Sequence, residues 1–264
     1  MSSQSYLNFI ILAIKGFLMG AANVIPGVSG GTMALILGIY EELINAIRSI
    51  NLKFLRLITN FNIKEAITCV SWQFLVPVVL GVLLATFSLA EVLGWLLDSY
   101  PVIVWSFFFG LILSSVITVS RVIKQWRIPT IVAIAVGTIA AYFLFGVIPV
   151  ATPNAPWFIF ASGFIAICAM ILPGISGAYI LVLLGKYHYI LEALNNKDFF
   201  TLFIIASGAL VGLISFAQVL GWLLKRYHDL TMAILIGLML GSLRKIWPWK
   251  ETITTFIDSH GKEI

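Results

Sequence analysis

Charge is scarce in this chain. Of its 264 residues only 10% are charged, 16 Lys and Arg against 11 Asp and Glu, where an ordinary soluble domain carries about a quarter. With 61% hydrophobic residues and a mean hydropathy of +1.06, that scarcity excludes a soluble globule. Cysteine is rarer still. Cys69 and Cys168 are too few for a disulfide framework, and both sit in apolar context, where a free thiol behaves as a small hydrophobe. The three histidines, His188, His228 and His260, fall in predicted loops or the tail without the i, i+4 spacing of a helical metal site, so neither metal nor cofactor is expected. No basic cluster alternates with polar sequence, which argues against nucleic acid as a partner. The net charge of +5 suits the positive-inside rule and anionic headgroups instead. A polar stretch after the first apolar segment is also missing. Leu7 to Ile25 runs through Ala21-Ala22-Asn23 into Pro26-Gly27 and a second apolar segment, unlike a cleaved signal peptide.

What takes the place of charge is apolar segments of spanning length. A crossing helix takes roughly 20 residues, so the chain holds at most about nine or ten and is nearly all membrane. It is also repetitive. Gly16-Phe17 through Pro26-Gly27-Val28-Ser29-Gly30 to Gly38 and Tyr40 recurs as Gly163-Phe164 through Pro173-Gly174-Ile175-Ser176-Gly177 to Gly185 and Tyr187. A second block, Gly81, Ser88, Ala90, Val92-Leu93-Gly94-Trp95-Leu96-Leu97, Tyr100 and Gly110-Leu111, recurs as Gly208, Ser215, Ala217, Val219-Leu220-Gly221-Trp222-Leu223-Leu224, Tyr227 and Gly237-Leu238. Shared leucine content does not explain matches at Gly, Pro, Ser, Trp and Tyr.

Breakers and charges then divide the chain. The expected fold is an all-α polytopic membrane protein with an internal duplication, each half a broken helical hairpin followed by two transmembrane helices. Repeat 1 is residues 1–128, with a hairpin at 7–47 and helices at 72–97 and 101–119. Residues 129–156 form a linker helix and loop. Repeat 2 is residues 157–250, with a hairpin at 157–194 and helices at 199–224 and 230–246, and residues 251–264 are a polar tail. The segments flanking each break run 16 to 19 residues, short of a comfortable crossing, so they read as re-entrant. Unpaired backbone at such a break is tolerated only where protein or a wet cavity surrounds it.

The loops with Arg48, Lys53, Arg56 and Lys64 and with Arg121, Lys124 and Arg127 are basic, and those at Asp98 to Tyr100 and Pro149 to Pro156 carry no Lys or Arg. The first half is therefore oriented with its basic loops inside. If both hairpins are re-entrant, the odd linker helix inverts the second half, as in transporters built from inverted repeats. Inversion puts Lys225 and Arg226 inside but leaves Lys186, Lys197, Arg244, Lys245 and Lys250 outside. Parallel repeats, each hairpin a single broken crossing, satisfy the charge rule better. The short broken segments and the odd linker favour inversion.

Chemistry is expected at the breaks. Pro26 ends one half-helix, Gly27 permits the turn, Ser29 is a natural N-cap, and Gly30-Gly31-Thr32 open the next half-helix with uncovered amides. Unpaired N–H groups at the positive end of a helix dipole form an anion site, and Pro173, Gly174, Ser176 and Gly177 supply its counterpart. Glycines that merely let helices pack or kink are the bland alternative, but paired breaks at matching positions point to a transporter site. The first copy has Asn23, Gly31 and Thr32 where the second has Met170, Ala178 and Tyr179. The first is thus expected to grip the anion and the second to shape the cavity.

Four isolated polar residues remain. Lys15 lies seven and eight residues before Ala22 and Asn23, close to the same helix face, and either points along the hairpin toward the anion or snorkels to the interface. Glu91 has Gln218 as its repeat partner. It is either a buried proton-coupling carboxylate or, about 10 Å from Asp98 along a helix, a wet residue at the outer end. Arg48, with Asn45 and Glu41 one and two turns earlier, reads as an inner-edge residue making local pairs.

The run Pro26-Gly27-Val28-Ser29-Gly30-Gly31-Thr32 with Gly38-Ile39-Tyr40, and Leu172-Pro173-Gly174-Ile175-Ser176-Gly177-Ala178, resembles the bacterial PopT-like polyprenyl-phosphate transporters over nearly the whole chain. The resemblance implies a flippase of the cytoplasmic membrane that returns undecaprenyl phosphate from the outer to the inner leaflet for envelope synthesis, with the polyprenyl-phosphate lipid and the bilayer as its partners. Homo-oligomerisation is left open. The residues alone show only a duplicated membrane protein with two candidate anion loops. Two other functions fit those loops. One is an undecaprenyl-pyrophosphate phosphatase, although Gly30-Gly31 and Gly177-Ala178 stand where phosphate cleavage wants an Arg, and no buried His or carboxylate pair offers an acid or base, so no catalytic residue is assigned. The other is a small-anion channel or carrier.

Overall fold

The computed structural model describes residues 3–25, 28–150 and 152–249; Pro26, Gly27, Lys250 and the 251–264 tail lie outside the described residues. Among the described residues the chain is helical throughout, with no strand. Four helices are long and apolar enough to cross a membrane: α1 (Ser3–Val24), α6 (Trp72–Ser99), α7 (Pro101–Ser120) and α12 (Phe199–Arg226). Three shorter apolar helices accompany them, α8 (Ile128–Leu144), α9 (Pro156–Ile171) and α13 (His228–Ser242). Large apolar side chains cover the outside, among them Phe87 at 82% and Phe203 at 72% exposure, as a lipid-facing surface requires.

Behind each break the expected second arm is not one helix but two. Thr32 to Ile47 is divided into α2 (Gly30–Ile36) and α3 (Tyr40–Arg48), and Ala178 to Leu194 into α10 (Gly177–Leu183) and α11 (Tyr187–Asn195). Gly38 and Gly185 cause this. They take φ of +68° and +62°, a left-handed conformation that side chains resist. The Ile39 amide returns to the Ala34 carbonyl at 2.9 Å and the Lys186 amide to the Leu181 carbonyl at 2.8 Å, while Gly38 and Gly185 bond Leu35 and Val182. These are paired Schellman stops. The expected basic loop after Arg48 contains two further helices, α4 (Leu52–Thr59) and α5 (Ile63–Cys69). The linker helix stops at Leu144 rather than Ile148, and the last helix starts at His228 and stops at Ser242 rather than spanning 230–246. The arms leading into the breaks also differ. The 22 residues of α1 measure about 33 Å and the 16 of α9 about 24 Å, so only α9 is short for a crossing.

Small residues set the packing, since lipid tails leave close van der Waals contact as the main attraction between helices. A methyl group on Gly16 or Gly81 would collide with the facing backbone across α1 and α6. The same holds for Gly163 and Gly208 across α9 and α12, and for Gly137 and Gly237 across α8 and α13. The register of each pair is parallel: Gly16 meets Val78 and Gly20 meets Val82, Phe160 meets Gly208 and Phe164 meets Gly212, Ile134 meets Gly237 and Thr138 meets Gly241. The Asp229 carboxylate accepts from the Lys124 and Gln125 amides at 3.3 and 3.0 Å, which ties the α12–α13 turn to the basic 121–127 loop. Helix α7 ends at that loop, so α6 runs away from this face and α12 runs toward it. Their parallel partners α1 and α9 therefore point in opposite directions.

Candidate functional site

The two breaks come together inside the protein. In the first, Ser29 takes an extended backbone and its Oγ accepts from the Gly31 amide at 3.1 Å, as an N-cap does. Asn23, in the last turn of α1, accepts from the Gly30 amide through Oδ1 at 2.8 Å, and the Thr32 amide donates to the Ser29 carbonyl at 2.9 Å. The donors that were expected to face an anion are thus occupied by the break's own side chains and backbone.

The hydroxyls of the first break reach across to the second. A helix end leaves its last carbonyls without intrahelical partners, and at the end of α9 they are received by the other half. Ser29 Oγ donates to the Met170 and Leu172 carbonyls at 3.3 and 3.2 Å, and buried Tyr40 donates to the Ile171 carbonyl at 3.2 Å. Thr32 Oγ1 accepts from the Gly174 amide at 2.9 Å. Gly31 is pressed so closely that a Cβ there would stand 2.5 Å from the Ile171 carbonyl oxygen. The negative end of α9 thereby meets the positive end of α2, a favourable alignment of dipoles.

The second break is differently finished. Gly174 takes φ +84° and packs against Ser242 and the Leu238 carbonyl. Ser176 is the N-cap of α10, yet its side chain makes no capping hydrogen bond. Ser176 is half-buried, Gly177 and Pro173 are buried, and Ala178 is exposed, so this helix start is the more open of the two.

Lys15 does not approach the breaks. Its Nζ donates at 3.0 Å to the Leu37 carbonyl, at the far end of α2, where a cation suits the helix dipole. Glu91 is exposed on α6. Gln218 has a definite partner in the other half. Arg48 Nε donates to its Oε1 at 3.4 Å, and its Nε2 donates to the Arg48 carbonyl at 2.9 Å. The Arg48 side chain lies over Gly221, and Glu41 meets His228 at 3.0 Å, so α3 seals against α12 at the face of the 121–127 loop. The matching residue Gly94 on α6 has open space around it.

Three polar features went unread in the sequence. Tyr40 was visible only as a repeat match, without its bond to α9. Lys186, 1% exposed, donates to the Thr152 carbonyl and Asn154 Oδ1, both at 2.7 Å. Arg244 donates to the Tyr142 carbonyl at 2.7 Å and stacks over the Tyr142 ring at 4.2 Å, while Lys245 Nζ stands 4.9 Å from the centre of the Tyr179 ring in α10. The available signal was that inversion of the second half places all three cations on the face where positive charge is disfavoured.

Four spanning-length apolar helices, a lipid-facing surface and irregular backbone held in the interior define a polytopic membrane protein. The chain belongs to the undecaprenyl phosphate translocase-like family (VCA0040-like), whose model matches residues 19–264. It is 42% identical over 258 residues to a protein of Vibrio cholerae named polyprenyl-phosphate transporter, covering 98% of this chain and 84% of that one. A Staphylococcus aureus protein of the same name is 30% identical over 258 residues, covering 90% and 86%. No solved structure matches the chain.

Proposed function

We propose that this protein transports a polyprenyl phosphate across a bacterial cytoplasmic membrane. Its membership of the undecaprenyl phosphate translocase-like family and its likeness to the two polyprenyl-phosphate transporters support that substrate class. The substrate in this reading is undecaprenyl phosphate, moved from the outer to the inner leaflet for reuse. The observation that carries the mechanism is the junction of the two breaks, where Ser29, Thr32 and Tyr40 of one half meet the Met170 to Gly174 backbone of the other.

The two halves act as inverted repeats with re-entrant hairpins. Oppositely directed α1 and α9, and helices of equal length at corresponding positions, support this: α6 and α12 have 28 residues, α2 and α10 seven, α3 and α11 nine. A charged headgroup is strongly disfavoured in hydrocarbon. It crosses along the junction, held by break amides and hydroxyls, while its tail stays in lipid. The phosphate station comprises Asn23, Pro26, Gly27, Ser29, Gly30, Gly31 and Thr32 with Pro173, Gly174, Ser176 and Gly177. In the conformation described here the second break is the receptive one, because the first has its donors engaged. Rearrangement of the Ser29 and Tyr40 bonds to α9 then exposes the first. Lys15 and Gln218 support the arms rather than the phosphate, and Glu91 stands apart at the surface.

Catalysis finds little support at this junction. The Ser29 hydroxyl is engaged by a backbone amide and backbone carbonyls, and among the described residues none of its hydrogen-bond partners is a His or carboxylate that could act as base. Purified protein in liposomes tests the proposal. Labelled polyprenyl phosphate is expected to change leaflets with no release of inorganic phosphate. Hydrolysis would make the protein an enzyme, and passage of free phosphate without lipid movement would make it an anion carrier.

A further inference from the structure

Beside the second break, α7, α8 and the end of α13 border an open surface groove of ≈ 510 Å³, lined among others by Phe109, Tyr142, Leu240, Leu243, Arg244 and Trp247. Its walls are aromatic and aliphatic, with Arg244 at its rim. A guanidinium has five N–H donors, and among the described residues Arg244 gives one of them to the Tyr142 carbonyl at 2.7 Å. The Tyr142 ring 4.2 Å away holds the guanidinium by stacking, and the side chain closes over Gly146, so the group is oriented before any ligand arrives. Lys245 follows in sequence and is turned to Tyr179, three residues into α10. Ser242 packs on Gly174. Of two cations adjacent in sequence, Arg244 thus lies at the groove and Lys245 at α10 of the more open break.

These cations also stand where topogenic rules disfavour them. Helices α8 and α13 run together away from the basic 121–127 loop, so Arg244 and Lys245 sit at the opposite end. A surface position for topology alone would place them at the other face.

We propose that this groove is the loading station for the lipid phosphate, with Arg244 and Lys245 as headgroup residues and Phe109, Leu240, Leu243 and Trp247 as the wall for the first isoprene units. The assignment rests on the transport reading and adds residues outside the breaks. A phosphate monoester carries close to two negative charges at neutral pH, which matches two neighbouring cations. A glycerophospholipid diester carries one charge at its headgroup, a poorer match to two cations.

The test is equilibrium binding to the purified full chain in neutral detergent, with farnesyl phosphate as ligand and farnesol, inorganic phosphate and phosphatidylglycerol as competitors, alongside leaflet exchange in liposomes. Arg244→Gln is expected to weaken farnesyl phosphate binding about tenfold or more, the loss of charge-assisted bonds. Lys245→Gln should weaken it less, and Arg244→Lys should restore part of the affinity. Farnesol and inorganic phosphate should compete poorly, because each has half the ligand. Thermal midpoints of the variants check folding, and Lys245→Gln remains informative should Arg244→Gln fail to fold. Undiminished binding and exchange in both glutamine variants would overturn the station and leave the transport reading intact. Displacement by phosphatidylglycerol at equal concentration would make the groove a general anionic-lipid site and overturn the assignment. Wild-type protein that neither binds nor exchanges any prenyl phosphate would overturn the transport reading itself.

Discussion

The two breaks carry nearly the same motif and are finished in different ways. In the first, Asn23 and Ser29 satisfy the Gly30 and Gly31 amides, and Ser29 and Tyr40 reach out to α9. In the second, Met170 replaces Asn23, Ser176 makes no capping bond, and Ala178 is exposed. The contrast extends to the two faces. Arg48 and Glu41 tie α3 to Gln218 and His228, whereas Gly94, which matches Gly221, faces open space. One copy of a duplicated motif can serve as a lock while its twin stays receptive, and in an inverted arrangement exchange of those roles is a transport cycle. More polar donors in a motif therefore do not mean more donors for a ligand. In the first break they are consumed locally.

Breaking the junction sterically should have the largest effect. Gly31→Val drives a side chain into the Ile171 carbonyl and should destabilise the protein by about 1–3 kcal/mol, while Ala178→Val, its exposed counterpart, should stay within about 0.5 kcal/mol. Thermal unfolding in detergent compares them, and equal losses would abolish the contrast. Asn23→Ala removes the acceptor of the Gly30 amide and should cost about 1–3 kcal/mol, visible as a lowered unfolding midpoint. Ser29→Ala should cost about 1 kcal/mol as a lost cap. Ser176→Ala should leave stability nearly unchanged and instead slow lipid exchange, and similar exchange losses from the two serine variants would remove the proposed division of labour. At the seal between α3 and α12, Gln218→Ala should raise hydrogen exchange in α3 with under about 1 kcal/mol lost overall; unchanged protection would show that Arg48 does not hold the seal. Glu91→Gln should do least, leaving both stability and the pH profile of transport unchanged. A flattened profile would instead make Glu91 a coupling group.

Much of this arrangement can be read from the chain. Matching Gly, Pro, Ser, Trp and Tyr residues locate the breaks, and Gly16, Gly81, Gly163 and Gly208 stand where helices later touch. Gly38 and Gly185 were visible as repeat matches, but an isolated glycine in an apolar run does not reveal its φ, and the helix stops they impose were missed. Lys15 illustrates the same difficulty. Its face pointed toward Asn23, yet its flexible side chain bonds Leu37.

The scarcity of charge determined by itself that this chain belongs in a membrane, and the repeat determined where its backbone must be irregular. Those properties are local, arising from composition, spacing and the intolerance of hydrocarbon for unpaired backbone. Only the tertiary structure decided which break is engaged, which is open, and that Arg244 and Lys245 stand beside the latter. A hydrogen-bond donor has no assigned partner until distant segments meet, and here those partners come from helices more than a hundred residues apart.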